Sequence, residues 1–383
     1  MKYIPVLLLV AFLVLPSTLQ AQWIEDTNIN NIIDQGIQDT YNMRFESADA
    51  AFRKVVKQYP DHPAGHFLLA MVEWWRILID IENESRDDGF HEMLDRVIDI
   101  CDERLDKNEK DIAGLFFKGG SIGFQGRLHA NRKSWVSAAT RGKEALPVVM
   151  DADEIAPGNA DLAFGTGIYD YYAAVLPDKY SVLKPLMMFL PDGNRNRGIK
   201  ELKLAAEKGR FANWEAMYFL LQLYYGMENR PSTALTYARK LVAQFPANPV
   251  FHRYLGRTYI KLGNWERAGK VFAEIRKAVR SGKRGYSAKM DREAAYYLGY
   301  GAMLKKDLSA AMKYLVECDR LSRKLDEEPS GFMIMTNLRI GMVHDLMDQR
   351  NYAKKQYDKV LRMPDYRGSH EAAAKYRKSG YSR

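Results

Sequence analysis

Between Glu215 and Gly282 the sequence repeats itself in outline at a step of 34 residues. Residues 215–248 laid on 249–282 bring Leu221 onto Leu255, Tyr225 onto Tyr259, Ala234 onto Ala268, Ala238 onto Phe272 and Leu241 onto Ile275. What recurs is apolar or small character at helical spacing, without the strict alternation of a half-buried strand. A fixed step of this length constrains the fold more than composition does. Each copy is one supersecondary unit that cannot hide its apolar face alone, so copies stack, and at least three are needed for stability.

The second copy carries the pattern almost whole, in Tyr254-Leu255-Gly256, Tyr259, Gly263-Asn264-Trp265-Glu266-Arg267-Ala268 and Phe272. Gly263-Asn264 ends one helix and starts the next. Equivalent positions recur in Gly36, Ala48, Phe52 and Pro60, in Leu298-Gly299, Lys306-Asp307, Ala311 and Leu315, and in Gly341, Ala353, Tyr357 and Val360. This pattern resembles the tetratricopeptide repeat family. Small residues where helices cross let two backbones approach, and a large residue fills the space between pairs.

The resemblance implies an all-α, tetratricopeptide-type α-solenoid, here of about eight helix pairs with a C-terminal capping helix near 369–378. Strands are not expected. Three pairs are expected ahead of the regular repeats: 63–81 with 90–106, 111–126 with 134–155, and 161–176 with 197–208 across an insertion at 177–196. The expected organisation is divergent repeats over 22–210, regular repeats over 211–367, and a basic cap and tail over 368–383. Long loops at 177–196 and 280–291 are where repeat geometry relaxes and specific function is expected.

Residues 164–199 carry a second resemblance. Phe164-Gly165-Thr166-Gly167-Ile168-Tyr169, Leu176-Pro177-Asp178-Lys179, Leu183-Lys184, Phe189-Leu190-Pro191-Asp192-Gly193, Arg195 and Gly198-Ile199 look like a segment of the inclusion-body-clearance (tetratricopeptide repeat protein 39-like) family. That resemblance implies helical architecture and no catalytic activity. Between Pro177 and Pro191 the apolar run from Val182 to Leu190 reads as a hairpin that plugs the repeat array or as a contact patch for lipid or protein.

The N-terminus reads as an export signal. Lys2 supplies a positive start, Ile4 to Leu15 is almost unbroken apolar sequence, and a cut after Ala21 fits the small-residue rule. The rival reading, a retained anchor, needs about twenty apolar residues. A periplasmic or secreted location is the expectation. Of 383 residues only two are cysteines, Cys101 and Cys318, so neither a disulfide framework nor a Cys-rich zinc site is expected. Charge is uneven: residues 23–110 hold 20 acidic and 10 basic residues, a net of −10, and residues 111–383 hold 28 acidic and 46 basic, a net of +18. The basic end, with Arg350, Lys354, Lys355, Arg377 and Lys378, can attract an anionic lipid surface or simply be a solvated face. An exported chain rarely meets nucleic acid.

Motifs for chemistry are absent. His62 and His66 are four apart, but Pro63 lies between them and no His-Glu-x-x-His pattern occurs. Gly119-Gly120, Gly123 and Gly126 lack the Gly-Lys-Ser/Thr of a phosphate loop and read as a packing face. No Gly-x-Ser-x-Gly is present, and neither cysteine has a catalytic signature. No enzyme, cofactor or metal is therefore expected.

In tetratricopeptide proteins the first helix of each pair lines the binding groove, and residues four apart share one stripe. That register makes Arg253, Arg257 and Lys261, then Tyr296 and Tyr300, with Phe219 and Leu223 before them, the candidate contacts for a peptide or partner protein. Guanidiniums beside tyrosines resemble the carboxylate clamp of peptide-binding repeats; the alternative is that the arginines pair with Glu or Asp of the next helix. The functional expectation is a non-enzymatic scaffold. Its alternative is an envelope factor touching lipid through the basic C-terminus and the 177–191 hairpin.

Overall fold

The computed structural model describes residues 24–180, 184 and 190–382. The export signal expected at 1–21 and most of the apolar run between Pro177 and Pro191 lie outside the described residues. Among the described residues there are 17 helices and no strand. They are α1 Thr27–Tyr41, α2 Phe45–Gln58, α3 Pro63–Ile79, α4 Asp87–Leu105, α5 Ile112–Asn131, α6 Trp135–Ile155, α7 Leu162–Lys179, α8 Arg195–Lys208, α9 Asn213–Gln222, α10 Pro231–Gln244, α11 Pro249–Lys261, α12 Trp265–Arg280, α13 Ala288–Leu304, α14 Leu308–Leu325, α15 Gly331–Leu346, α16 Arg350–Leu361 and α17 Ser369–Ser379. Helix α9 runs on through a π turn at Leu223–Met227. Eight consecutive pairs and a closing α17 form the all-α repeat architecture expected from the sequence.

The turn inside a pair has one recurring device. The residue just before the second helix's N-cap is left-handed: Met43, Lys133, Gly263, Lys306 and Asp348 have φ of 63°, 61°, 69°, 63° and 58°. Only Gly263 takes this conformation without a Cβ penalty of about 1 kcal/mol. At two of these turns a side-chain cap follows directly. Asn264 accepts the N–H of Arg267 and Asp307 that of Ala310, satisfying donors a helix start leaves open.

The described residues fall into two compact units: those within 1–34, 51–70 and 88–213, and those within 35–50, 71–87 and 214–383. In the first unit, Phe117 packs on Phe67 and Phe211, and Ile112, Leu115, Ala152, Ala156 and Leu162 form a buried cluster. Gly119 sits against Val149 and Gly126 against Arg141, so the glycines of α5 serve contact with α6. Gly167 and Gly198 let α7 and α8 cross so closely that a Cβ on Gly198 would stand 2.7 Å from the Gly167 carbonyl oxygen. His62 caps α3, its Nδ1 accepting the Ala64 N–H at 3.2 Å, and His66 Nε2 contacts the Pro60 carbonyl. The two histidines thus serve local structure.

In that unit the insertion differs from expectation. Helix α7 does not stop at Leu176 but runs through Pro177 to Lys179, closed by the Tyr180 N–H on the Leu176 carbonyl at 2.8 Å. The proline removes one backbone bond, that to the Ala173 carbonyl, and the helix ends two residues later. Past the apolar run, residues 190–194 return onto α7: Tyr169 donates to the Pro191 carbonyl, and Gly193 lies so close to Ala174 that no side chain would fit.

The second unit has an aromatic centre of Tyr41, Trp75, Tyr218, Phe245 and Phe251. Asn248 organises it, its Oδ1 capping α11 and its Nδ2 donating to the Tyr41 carbonyl at 3.0 Å. Successive pairs then repeat one contact: Gly256 faces the Phe272 ring, Gly299 faces Leu315 and Gly341 faces Tyr357. Cys318, at a small position, is buried and accepts a hydrogen bond from the Thr336 hydroxyl. The loop expected at 280–291 is only 281–287. Asp291, in the first turn of α13, pairs at 2.5 Å with Arg276 of α12 and holds that turn in place. The loop itself is pinned, Arg284 pairing with Glu46 and buried Tyr286 hydrogen-bonding His252.

Candidate functional site

The first helices of the second unit, α9, α11, α13 and α15, present one face to each other in sequence order. On α11 the spacing of four brings Arg253, Arg257 and Lys261 onto one stripe, as expected, but their partners divide it. Arg253 and Arg257 both turn toward α13 and converge on Glu293. Its Oε2 accepts from Arg253 Nε at 3.0 Å, Arg253 Nη2 at 2.8 Å and Arg257 Nη2 at 2.7 Å; its Oε1 accepts from Arg257 Nε. Lys261 turns the other way, donating to the Tyr225 carbonyl at 2.6 Å and lying 4.3 Å from the Tyr225 ring centroid.

Glu293 is 1 % exposed. Burial pushes its carboxyl up, yet the two guanidiniums outweigh that and hold it below the usual carboxylate range. Arg257 in turn is raised: burial acts against its charge and Glu293 more than restores it. Pairing with the neighbouring helix, the second of the two sequence readings, is what the arginines do here. No motif marks Glu293 in the sequence. Its signal was position, a carboxylate on the first helix of the next repeat, 40 and 36 residues after the two arginines.

The remaining candidates are placed as follows. Phe219 and Leu223 are buried, as packing residues of α9 and its π turn. Tyr296 is 9 % exposed and meets Phe332 edge-on; Tyr300 is half-buried and edge-on to Trp265 at 4.9 Å. Tyr297, beside them, stacks on Phe272 at 4.8 Å. Burial raises the phenols of Tyr225, Tyr296 and Tyr297, which therefore stay protonated donors at neutral pH. Two further tyrosines join from α9 and α11, where Gln222 donates to the hydroxyls of Tyr218 and Tyr254. The face is thus a row of tyrosines with the ion-paired Arg253 and Arg257 among them. Such a surface can hydrogen-bond and cover an apolar side chain, and among the described residues it holds no nucleophile with an adjacent base.

Family comparison locates the repeats. A family model described as Tetratricopeptide repeat matches residues 227–289, and a second of the same description matches 41–62. The chain carries tetratricopeptide repeats. The first match spans α10, α11 and α12 with the two arginines and Lys261, and the second covers α2 and its flanks. No curated protein matches the chain.

Three solved structures illustrate what it is similar to. A thermophilic tetratricopeptide protein of Thermus thermophilus is 18% identical with a TM-score of 0.36, over 61% of this chain and 99% of that one. Human IFIT1, solved as a dimer with PPP-AAAA, is 15% identical with a TM-score of 0.41, over 84% and 69%. A signal transduction ATPase with numerous domains and a tetratricopeptide repeat sensor, from Pyrococcus horikoshii, is 14% identical with a TM-score of 0.49; the match covers 92% of this chain and 50% of that one. At these identities and scores no property of those proteins is carried over.

Elsewhere, chemistry finds no foothold among the described residues. No group of three or more His, Cys, Asp or Glu is placed to hold a metal ion. Both cysteines are buried and free, and burial pushes the thiol of Cys318 up to about 11 and that of Cys101 up to about 12. Among the described residues no helix is long and apolar enough to cross a membrane. At the basic end, Arg350 pairs with Asp345 and Arg377 with Asp358, while Lys354 and Lys355 are exposed.

Proposed function

We propose that the chain is a non-enzymatic scaffold which binds a peptide or partner protein along the first-helix face of α9, α11, α13 and α15, and that it acts outside the cytoplasm after loss of residues 1–21. The observation that carries this reading is the composition of that face, tyrosines and arginines fixed by neighbours on rigid helices. Aromatic and Arg side chains are enriched in protein recognition surfaces and dominate their hot spots. The reading of residues 164–199 as akin to the inclusion-body-clearance family belongs to this proposal and contributes helical architecture alone.

The test is affinity capture with the full chain, identification of the partner, and titration of the purified pair. Lys261→Glu, on the first-helix face, should weaken binding about tenfold or more, since it reverses a charge that the face presents and removes the donor held by the Tyr225 carbonyl. Lys270→Glu, on the exposed side of α12 where it pairs with Glu266, should leave binding unchanged. In the cell-envelope fraction the capturing chain should begin at Gln22. Equal affinity of both variants would sink the proposed face.

A further inference from the structure

Helices α9, α11, α13 and α15 carry six Lys and Arg residues: Arg253, Arg257, Lys261, Lys289, Arg292 and Arg339. Five have partners within the fold. Arg253 and Arg257 share Glu293, Lys261 has the Tyr225 carbonyl, Lys289 has Glu82 and Arg292 has Asp326. Arg339, on α15, has neither an ion pair nor a hydrogen bond to any described residue. Its guanidinium carbon lies 3.7 Å from the Tyr300 ring centroid and 5.1 Å from that of Tyr296, and its Nε is buried without an acceptor. On and around α15 three carboxylates have other partners: Asp326 has Arg292, Asp319 has Arg323 and Lys359, and Asp345 has Arg350 and Tyr357.

Each of these facts points to a missing acceptor. A buried donor left unsatisfied is costly, and such groups are rare unless a ligand, ion or water completes them. Stacking over two rings fixes the plane of the guanidinium but leaves its edge donors unused, and a planar fork is matched best by a carboxylate taken through two parallel bonds. The site supplies one positive charge, and the phenol of Tyr296 beside it is held neutral. A singly charged anion balances it; a phosphate dianion would be left half-compensated. The ring of Trp265 against Tyr300 and that of Phe332 against Tyr296 can cover an apolar side chain next to the acid.

The geometry points to Arg339 as the anchor for an internal Asp or Glu side chain of an extended partner segment. This rests on the scaffold reading and adds the chemistry that the partner must bring. A chain terminus would present its own carboxylate together with that of any last acidic residue, and no second unpaired cation remains on these four helices to meet it.

The experiment uses the full chain and a fluorescein-labelled peptide of alternating Leu and Glu, with its C-terminus free or amidated, read by fluorescence anisotropy at low salt. The wild type should bind both forms alike. Arg339→Gln, and separately Gln for Glu in the peptide, should each weaken binding about tenfold or more, the scale of one charge-assisted bidentate contact. Arg339→Lys, which keeps the charge but not the fork, should recover only part, and circular dichroism should report unchanged helicity in both variants. Equal binding by wild type and Arg339→Gln overturns the inference, as does loss of binding on amidation, absence of wild-type binding, or stronger binding to phosphatidylglycerol vesicles. A natural partner held equally by wild type and Arg339→Gln, yet released by Lys261→Glu, would refute this anchor and leave the scaffold standing.

Discussion

Replacing Glu293 by Gln keeps the shape of the side chain and removes the charge on which two arginines of the preceding repeat converge. The carboxylate is 1 % exposed and accepts four hydrogen bonds, so it is the electrostatic joint between α11 and α13. Breaking one side of a buried ion pair costs about 3–5 kcal/mol, mostly through the charge left unpaired. Here the arginine side chains keep 36% and 29% of their surface in water and can turn outward, which reduces the expectation to about 2–3 kcal/mol. Urea denaturation followed by circular dichroism reads this as a fall in midpoint. Native-state hydrogen exchange should localise the loss to α11 and α13. The coupling is checked by Arg253→Met with Arg257→Met: in the Glu293→Gln background the pair should cost less than in the wild type by more than about 0.5 kcal/mol. The pH dependence has a definite sign. The folded carboxyl lies below its unfolded value of about 4.3, so its contribution is complete above that pH and is lost as pH falls through the folded value. The difference between wild type and Glu293→Gln should shrink on acidification. A loss under about 0.5 kcal/mol at neutral pH, or strict additivity with the arginine changes, would refute the joint.

Two other outcomes follow from packing and burial. A Cβ on Gly341 would lie 2.5 Å from Cε1 of Tyr357, a fully buried ring tethered by its hydroxyl to Asp345 at 2.7 Å, so Gly341→Ala should destabilise by about 1–2 kcal/mol despite the helix-propensity gain; Gly123→Ala, with nothing within 4 Å, should stabilise by about 0.5–1 kcal/mol, and thermal denaturation distinguishes the signs. Burial lowers His62 to about 4 from 6.5, so the unfolded chain binds the proton more readily and stability should decline from pH 6.5 toward 4, by at most about 3 kcal/mol; His62→Asn, which keeps a cap acceptor, should flatten that slope in pH-dependent urea titrations.

Much of the fold was legible because repeat packing is a rule of size at fixed positions. Gly256 against Phe272, Gly299 against Leu315 and Gly341 against Tyr357 are the small and large residues that the sequence singled out, found in contact. The left-handed turn residue was legible only at Gly263, since Met43, Lys133, Lys306 and Asp348 adopt the same conformation without a glycine to mark it. Helix ends beside proline and the short 281–287 loop were misjudged. Their limits depend on tertiary contacts, such as Asp291 with Arg276 and Arg284 with Glu46, that no local pattern announces.

The site divides the same way. Periodicity alone determined that Arg253, Arg257 and Lys261 share one stripe and that Tyr296 and Tyr300 share another, because a helix puts residues four apart on one side whatever surrounds it. Only the tertiary structure decided which cations are neutralised. An ion pair joins residues 36 or 40 positions apart through the offset between successive helices, which no spacing within one helix announces. By the same offset Arg339, unremarkable in the sequence, came to rest on two tyrosine rings, its Nε buried without a hydrogen-bond partner among the described residues.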